Sequence, residues 1–487
     1  MIQSRRILIV SYYFPPDSAV GGLRAAKFAR TLPEFGWQPY VLTVVDDARD
    51  QGIDAERLRG LEGVPITRVR GLPTLASLYV RARNGLRGLF GMDRKAADSA
   101  ATIPLTPAGR SPRETLAQRL KRYVVSLVVL LPDQAKNWSL ASAVQAVRLV
   151  RRHDIDCILT SGPPFSTHLV GLIAKLFTRV RWLADFRDPW VEMLPARFPE
   201  THSRVSDHLE TWMEAAVIKR ADRVLTTTER LRASLMGRFP GLQAEKFVCL
   251  SNSIDTGRFP VDEQVAKYGP LTITYAGTLY FDRTPEPLFR AVGELIGNRA
   301  IRESDIRIKL VGRCQEVDGV DTRTIARRYG LDAVVEVIEP VPYSEAIAIM
   351  RRSHLLLVIA PDGHQLVVGA KLFDYLGSGS SILGLASEGA TADLIRETRS
   401  GRCFSPADVA GLRDYIHELI RDNAYRDVRN DPSRFEHYTV RHLTRRLVSE
   451  FSAAGVTSIR DLASGIDGAR AETHVNRSQA APLQPGM

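Results

Sequence analysis

Apolar residues in this chain come in short dense runs, and each run ends in glycine, proline or charge. RRILIVSYYFPP predicts a buried parallel strand over Arg6–Val10 that runs into a loop. The loop DSAVGG opens LRAAKFARTLPEFG, whose spacing is helical, and WQPYVLTVV supplies the next strand, a βαβ opening. PITRVR takes a third strand position. A helix over Ser139–Arg152, the strand DCILTSG, the helix THLVGLIAKLF and the strand RWLADF follow, then a long helix over Ser203–Arg220 and the strand RVLTTT. Near LSNSID the series restarts. PLTITYAGTLY, IRIKLVGR, VVEVIEPV, LLLVIAP and SILGLA read as strands, interleaved with the helical stretches PEPLFRAVGEL, RTIARRYG, SEAIAIMRRS and KLFDYLGSG. Two successive β/α-alternating halves predict an α/β protein of two doubly wound, Rossmann-like domains facing across a cleft, at residues 1–255 and 256–430. A terminal helix within 431–455 is expected to cross back to the first domain.

Two segments break the alternation. Residues 74–118 turn rich in Gly, Ser, Thr, Pro and Arg and read as an insertion, and residues 456–487 are polar and expected to be disordered. Charge sharpens the first of these. The chain carries a net +11, and residues 68–122 hold twelve Arg or Lys against three acidic residues. The apolar run YVVSLVVLL follows directly, a combination that suits an anionic membrane surface, with a solvated insertion as the other reading. No recognition motif or interleaved aromatics accompany the charge, so nucleic acid is not expected as a partner. No window reaches the roughly 20 apolar residues that span a bilayer. Four scattered cysteines form no CxxC pair, which argues for reduced, packed thiols and neither a disulfide framework nor a zinc site. The expected location is cytoplasmic, peripheral on the inner face of the cytoplasmic membrane.

Candidate chemistry gathers at strand ends. Gly21 and Gly22 sit between a strand and a helix N-terminus, either a tight turn or a place where an anion meets bare backbone. The turn AGTLYFDR offers Gly277, Thr278 and Arg283 after the first strand of the second half, and LVGR offers Gly312 and Arg313 after the next. Glycine-ended strands with arginines nearby, sharing one crevice, suit a diphosphate. In VVGAKLFDYLGSGSSILGL, Lys371 and Asp374 lie three apart. Lys371 is placed to neutralise a phosphate and Asp374 to accept from a ribose diol, against the alternative of a surface i,i+3 ion pair. DFRDPW crowds Asp185, Arg187 and Asp188 onto a strand end. They form either a contact surface for substrate or a buried brace, with Pro189 and Trp190 packed beneath. His168, at the start of the helix after SGPPFS, is either an acceptor contact or structural.

Taken in order, YYFPPDSAVGGLRAAKFARTLPEFGW, SGPPFSTHLVG, DFRDPW, NSID, YAGTLY, LVGR and AKLFDYLGSGSSIL resemble the family-4 glycosyltransferases of the GT-B fold, of the bacterial surface-polysaccharide type. The resemblance covers roughly residues 5–450 outside the insertion. It implies retaining transfer from a UDP- or GDP-linked sugar without an obligatory metal or other cofactor. The second domain would hold the nucleotide and the first a glycan or polyprenyl-linked acceptor. It maps the family's glycine loop to Gly21 and Gly22, its diphosphate-binding basic pair to Arg283 and Lys371, and its ribose carboxylate to Asp374. At the DFRDPW strand end, where the family often carries a histidine, it implies an aspartate meeting sugar hydroxyls or the acceptor and Arg187 meeting an acceptor phosphate. One position departs: Leu366 stands where the family often has a glutamate near the donor sugar. A nucleotide-sugar epimerase or hydrolase, and a non-catalytic GT-B partner protein, are the alternatives.

Overall fold

The computed structural model describes residues 5–17, 19–45, 55–73, 132–193, 204–259, 265–279 and 283–455. The 74–118 insertion, the apolar run before Pro132 and the 456–487 tail lie outside the described residues.

The first domain is a seven-stranded parallel sheet in the order β3-β2-β1-β4-β5-β6-β7. Its strands are β1 (Arg5–Ser11), β2 (Trp37–Val44), β3 (Ile66–Val69), β4 (Cys157–Gly162), β5 (Arg181–Phe186), β6 (Arg223–Thr226) and β7 (Phe247–Cys249). Helices α1 (Leu23–Thr31), α2 (Lys136–Arg152), α3 (Thr167–Thr178), α4 (Arg204–Arg220) and α5 (Glu229–Arg238) connect them. Because crossovers cover both faces, β1 is apolar on both. Ile7 and Ile9 enter one core with Phe28 of α1, while Leu8 and Val10 enter the other with Trp138 of α2 and Val170 of α3. The α1 helix stops at Thr31 in a 3-10 turn over Leu32–Phe35, earlier than its apolar spacing suggests, because Pro33 cannot continue it.

The second domain repeats the plan with a six-stranded parallel sheet in the order β12-β9-β8-β13-β14-β15. Its strands are β8 (Leu271–Ala276), β9 (Ile306–Val311), β12 (Val335–Ile338), β13 (Leu355–Ala360), β14 (Ser381–Ala386) and β15 (Gly401–Phe404). A short hairpin of β10 (Glu316–Val317) and β11 (Val320–Asp321) stands apart. The helices are α6 (Glu286–Gly297), α7 (Thr322–Arg328), α8 (Tyr343–Arg352), α9 (Lys371–Ser378), α10 (Ala390–Thr398) and α11 (Val409–Arg421). Each sheet reverses its winding once, between β1 and β4 and between β8 and β13, and such a reversal opens a crevice at the carboxyl ends.

The last helix, α12 (Val440–Ala453), returns to the first domain as expected. Thr439 caps it by accepting from His442 N–H, and Leu443, Leu447 and Phe451 enter the core beside Trp37, whose ring lies 4.6 Å from that of Phe451. Seven strands and α-helices escape the sequence reading: α5, β7, β10, β11, α10, β15 and α11. The shortest, β10 and β11, have two residues each, and β7 has three with one buried side chain, too little for a strand pattern to show.

Candidate functional site

The carboxyl ends of β8 and β9 meet back to back. Gly277 and Gly312 both hold positive φ, +142° and +115°. A side chain on Gly312 would begin 2.3 Å from the Gly277 carbonyl oxygen, and one on Gly277 would begin 2.8 Å from Lys371 Nζ. Only glycine fits either place, and the result is bare backbone under a lysine. The turn is tied by Leu279 N–H to the Arg313 carbonyl at 3.0 Å and by the Tyr275 hydroxyl to the Thr278 carbonyl at 2.7 Å. Thr278 and the Arg313 side chain are exposed at its rim.

Lys371 opens α9 and leans over this turn. Its Nζ donates to the Tyr275 hydroxyl at 2.7 Å and sits 3.9 Å from that ring's centre. Burial and the neighbouring charge of Arg283 push its pKa down to about 7. Two cations held close together in a poorly solvated turn are an arrangement that an anion relieves.

Asp374, one turn along α9, points elsewhere. It accepts from the Tyr343 hydroxyl and faces Lys27 of α1 and Arg258 of the linker. Burial raises its pKa against the pull of those cations, and burial lowers that of Lys27. The surface ion pair with Lys371 is therefore not formed: Lys371 turns to Tyr275 and Asp374 turns across the domain boundary. Lys27 also donates to the Ser253 carbonyl at 2.7 Å, and Arg30 pairs with Asp255 at 2.6 Å, so α1 is tied to the linker between the domains. This contact brings α1 and α9 together.

In the first domain the charged end of β5 and the loop after it form a brace in two of their three members. Asp185 is 1% exposed and takes Arg24 of α1 in a two-point ion pair, 3.0 Å at each point, plus the Ser161 hydroxyl at 2.8 Å. Arg24 Nη2 also reaches the Leu250 carbonyl at 2.7 Å. Arg187 donates to three carbonyls, Gly162 at 3.1 Å and those of Gly21 and Pro163, stapling the SGPP and glycine loops together. Burial lowers its pKa. These bonds favour the brace for Arg187 and Asp185 over contact with an acceptor phosphate or with sugar. Asp188 is half-buried beside Arg187, whose charge it attracts. Beneath it Trp190 stacks on Phe165 at 5.0 Å, with the rings 5° from parallel.

His168 is likewise structural. It is fully buried and stacked on Phe186 at 4.6 Å, and a 2.8 Å hydrogen bond joins its Nδ1 to Thr160 Oγ1. Desolvation drops its pKa to about 3, so the ring stays neutral and reaches no cleft. Gly21 and Gly22 carry no positive φ but have no room for a side chain, with Tyr13 Cδ2 at 2.9 Å from one and the Tyr13 carbonyl carbon at 3.0 Å from the other.

Leu366 is the departure with a visible consequence. Its side chain packs against the first domain's core and its carbonyl accepts from the Thr228 hydroxyl at 2.6 Å. Nearby, Arg230 grips Asp393 of α10 through both nitrogens, one bond at 3.0 Å. The segment before α9 thus docks the two domains together. A cavity of about 200 Å³ lies along this contact, lined by Thr227, Arg230, Val368, Asp393, Tyr438 and Arg446 among others. None of the sequence-predicted site residues borders it.

Sequence reading did not find Arg24, Lys27, Tyr275 or Tyr343. Arg24 and Lys27 were accessible in principle: they interrupt the otherwise apolar inner face of LRAAKFAR one turn after the glycine pair.

The fold agrees with what known proteins share with the chain. Residues 104–258 match Glycosyltransferase Family 4. The glycosyltransferase resemblance is thereby supported, and solved structures extend the likeness of fold to both domains. A sucrose-phosphate synthase from Thermosynechococcus elongatus superposes with TM-score 0.58 at 15% identity, over 93% of this chain and 100% of that one. Anabaena HepE, solved in complex with UDP-glucose, gives 0.57 at 13% over 92% and 99%. A glycosyltransferase from Rickettsia africae gives 0.57 at 10% over 94% and 100%. Among curated protein sequences none matches this chain. At these identities the glycosyltransferase structures attest the two-domain GT-B fold, and the chemistry of the site has to be argued from its residues.

Proposed function

We propose that the protein transfers a sugar, with retention of anomeric configuration, from a UDP- or GDP-linked donor to a glycan or polyprenyl-linked acceptor in surface-polysaccharide synthesis. The observation that carries this reading is Lys371 set over the glycine-only turn of Gly277 and Gly312, with the charge of Arg283 close enough to lower its pKa. In transfer, the bond from the anomeric carbon to the diphosphate oxygen breaks and a bond to the acceptor oxygen forms on the same face. The acceptor's proton passes to the leaving diphosphate. Charge develops on that diphosphate, and Lys371 and Arg283 answer it. Asp374 would hold the ribose, helped by Tyr343. The Asp185–Arg24 pair and the Arg187 staple keep the first domain's three loops rigid opposite the donor, with Asp188 at the acceptor side. The second, non-catalytic reading is favoured by one observation: Leu366 is occupied in domain docking where a sugar-contacting glutamate would stand.

A screen of UDP- and GDP-sugars with membrane extract as acceptor separates these readings. Sugar incorporation that disappears in Lys371→Ala supports transfer. Nucleotide binding without incorporation or donor loss supports the partner protein. Donor consumed without acceptor, yielding an epimer or free sugar, supports the epimerase or hydrolase.

A further inference from the structure

Large apolar side chains exposed on the described residues are not scattered. Of nine such residues, seven lie on α2, α3 and α4, which cover one face of the first sheet. Leu140 and Val144 project from α2, Leu176 and Phe177 from α3, and Leu209 and Trp212 from α4. Phe177 is 65% exposed and Trp212 68%, values no core demand explains. Val205 continues the α4 stripe one turn back, at the spacing of a single helix face. The three helices form one surface, since α2 packs on α3 and α3 on α4, and Arg151 of α2 bonds the Phe177 carbonyl at 3.1 Å. Leu72 joins at the edge, its N–H bonded to the Asn137 carbonyl of α2 at 3.1 Å.

Charge on these helices is sorted by direction. Arg148, Arg151 and Arg152 of α2, Arg179 at the end of α3, and Lys219 and Arg220 of α4 are exposed. Helices α2 and α3 contain no acidic residue. Of the three on α4, Glu210 and Glu214 are buried, bonded to Trp190 Nε1 at 2.6 Å and to Arg238, and Asp207 is half-buried. Two of the three acids point in, and the cations stand exposed toward the carboxyl ends of the helices, beside apolar side chains that include a tryptophan. That is the composition of a surface that lies on an anionic bilayer.

We infer that the α2–α3–α4 face is a membrane-docking surface for anionic lipid. A protein cover drawn from the chain itself would be residues 74–131, whose described flanks, Leu72 and Pro132, lie next to the start of α2. All the charge of that segment lies within 81–122, ten Arg or Lys against three acids, the same sign as the cations it would have to sit beside; the uncharged run at 123–131 would cover the patch only by bringing this cationic stretch with it. Like charge disfavours that occupant, and the two cationic regions together favour an anionic surface. The inference deepens the lipid-linked acceptor reading but is tested without any donor.

The test is co-sedimentation of the full chain with phosphatidylcholine vesicles with and without phosphatidylglycerol, together with light scattering for oligomeric state and thermal melts. The expected result is binding to the anionic vesicles only, weakened at least tenfold in the double variant Phe177→Glu, Trp212→Glu. Both side chains are exposed, so the variant should melt with the parent, and Phe177→Ser, Trp212→Ser serves if the charged pair does not fold. Failure of the parent to bind, equal binding by the variants, or a dimer that the substitutions dissolve would each overturn the inference. Sugar transfer by a protein that ignores vesicles would leave the proposed reaction standing. Vesicle binding without turnover would do the reverse.

Discussion

Lys371 makes the donor site testable through pH. Its pKa of about 7, against an ordinary 10.5, leaves it half charged near neutrality and about 1% charged at pH 9. A bound diphosphate stabilises the charged form, so binding above pH 7 must first recover a proton. If the complex holds that proton throughout, apparent affinity for UDP or GDP falls about fifty-fold between pH 7 and 9, roughly 2.3 kcal/mol. The nucleotide's own phosphate titrates below this window, near pH 6, and does not supply the slope. Calorimetric titrations in buffers of different ionisation enthalpy should show about half a proton taken up per nucleotide at pH 7 and close to one at pH 8. Lys371→Arg keeps its charge throughout and should flatten the slope even if its affinity is lower. The same shift has a sign for stability. Between about pH 7 and 10.5 the unfolded chain binds a proton at Lys371 that the native unliganded protein does not, so stability rises with pH across that window. Lys371→Met should therefore stabilise the unliganded protein at pH 7 while abolishing nucleotide binding. Constant affinity from pH 7 to 9, or an unchanged slope in Lys371→Arg, would refute the reasoning.

Other residues give independent checks. Asp185→Ala strands the buried Arg24 and should destabilise by about 3–5 kcal/mol in urea unfolding, whereas replacing both members with apolar residues should recover much of that loss. Gly312→Ala would drive a methyl group into the Gly277 carbonyl at a positive φ, and should cost at least about 3 kcal/mol and remove nucleotide binding together. His168, neutral when folded with a pKa of about 3, takes up a proton on unfolding below pH 6.5, so stability falls as pH drops from 6.5 toward 3. By pH 4.5 the loss reaches about 2.7 kcal/mol, and His168→Phe should remove that slope. Leu366→Glu places a charge against the first domain's core and should loosen domain docking, read as a larger radius of gyration by small-angle scattering.

Much of the fold was legible because parallel strands buried on both faces leave dense apolar runs, and because crossovers set their spacing. The glycines at 277 and 312 were legible for the same reason that they matter: a strand that ends in glycine announces bare backbone. The reading failed where meaning depends on partners far along the chain. Asp185 looks like chemistry beside a cleft until Arg24, 161 residues away, is seen closing a two-point pair on it. Lys371 and Asp374 share a helix yet serve different neighbours, because Tyr275 lies on one side and Lys27 of the other domain on the other. Leu366 carries no local sign that its hydrophobic surface is claimed by the first domain.

The proposed donor site puts a nucleotide diphosphate over the Gly277–Gly312 turn, beside Lys371 and Arg283. A crystal structure of the protein soaked with UDP or GDP tests it most directly. The account predicts the diphosphate over that turn within hydrogen-bonding reach of Lys371 Nζ, with the ribose toward Asp374. Nucleotide bound instead in the cavity between Arg230 and Arg446, or a turn left empty at saturating nucleotide, would contradict it.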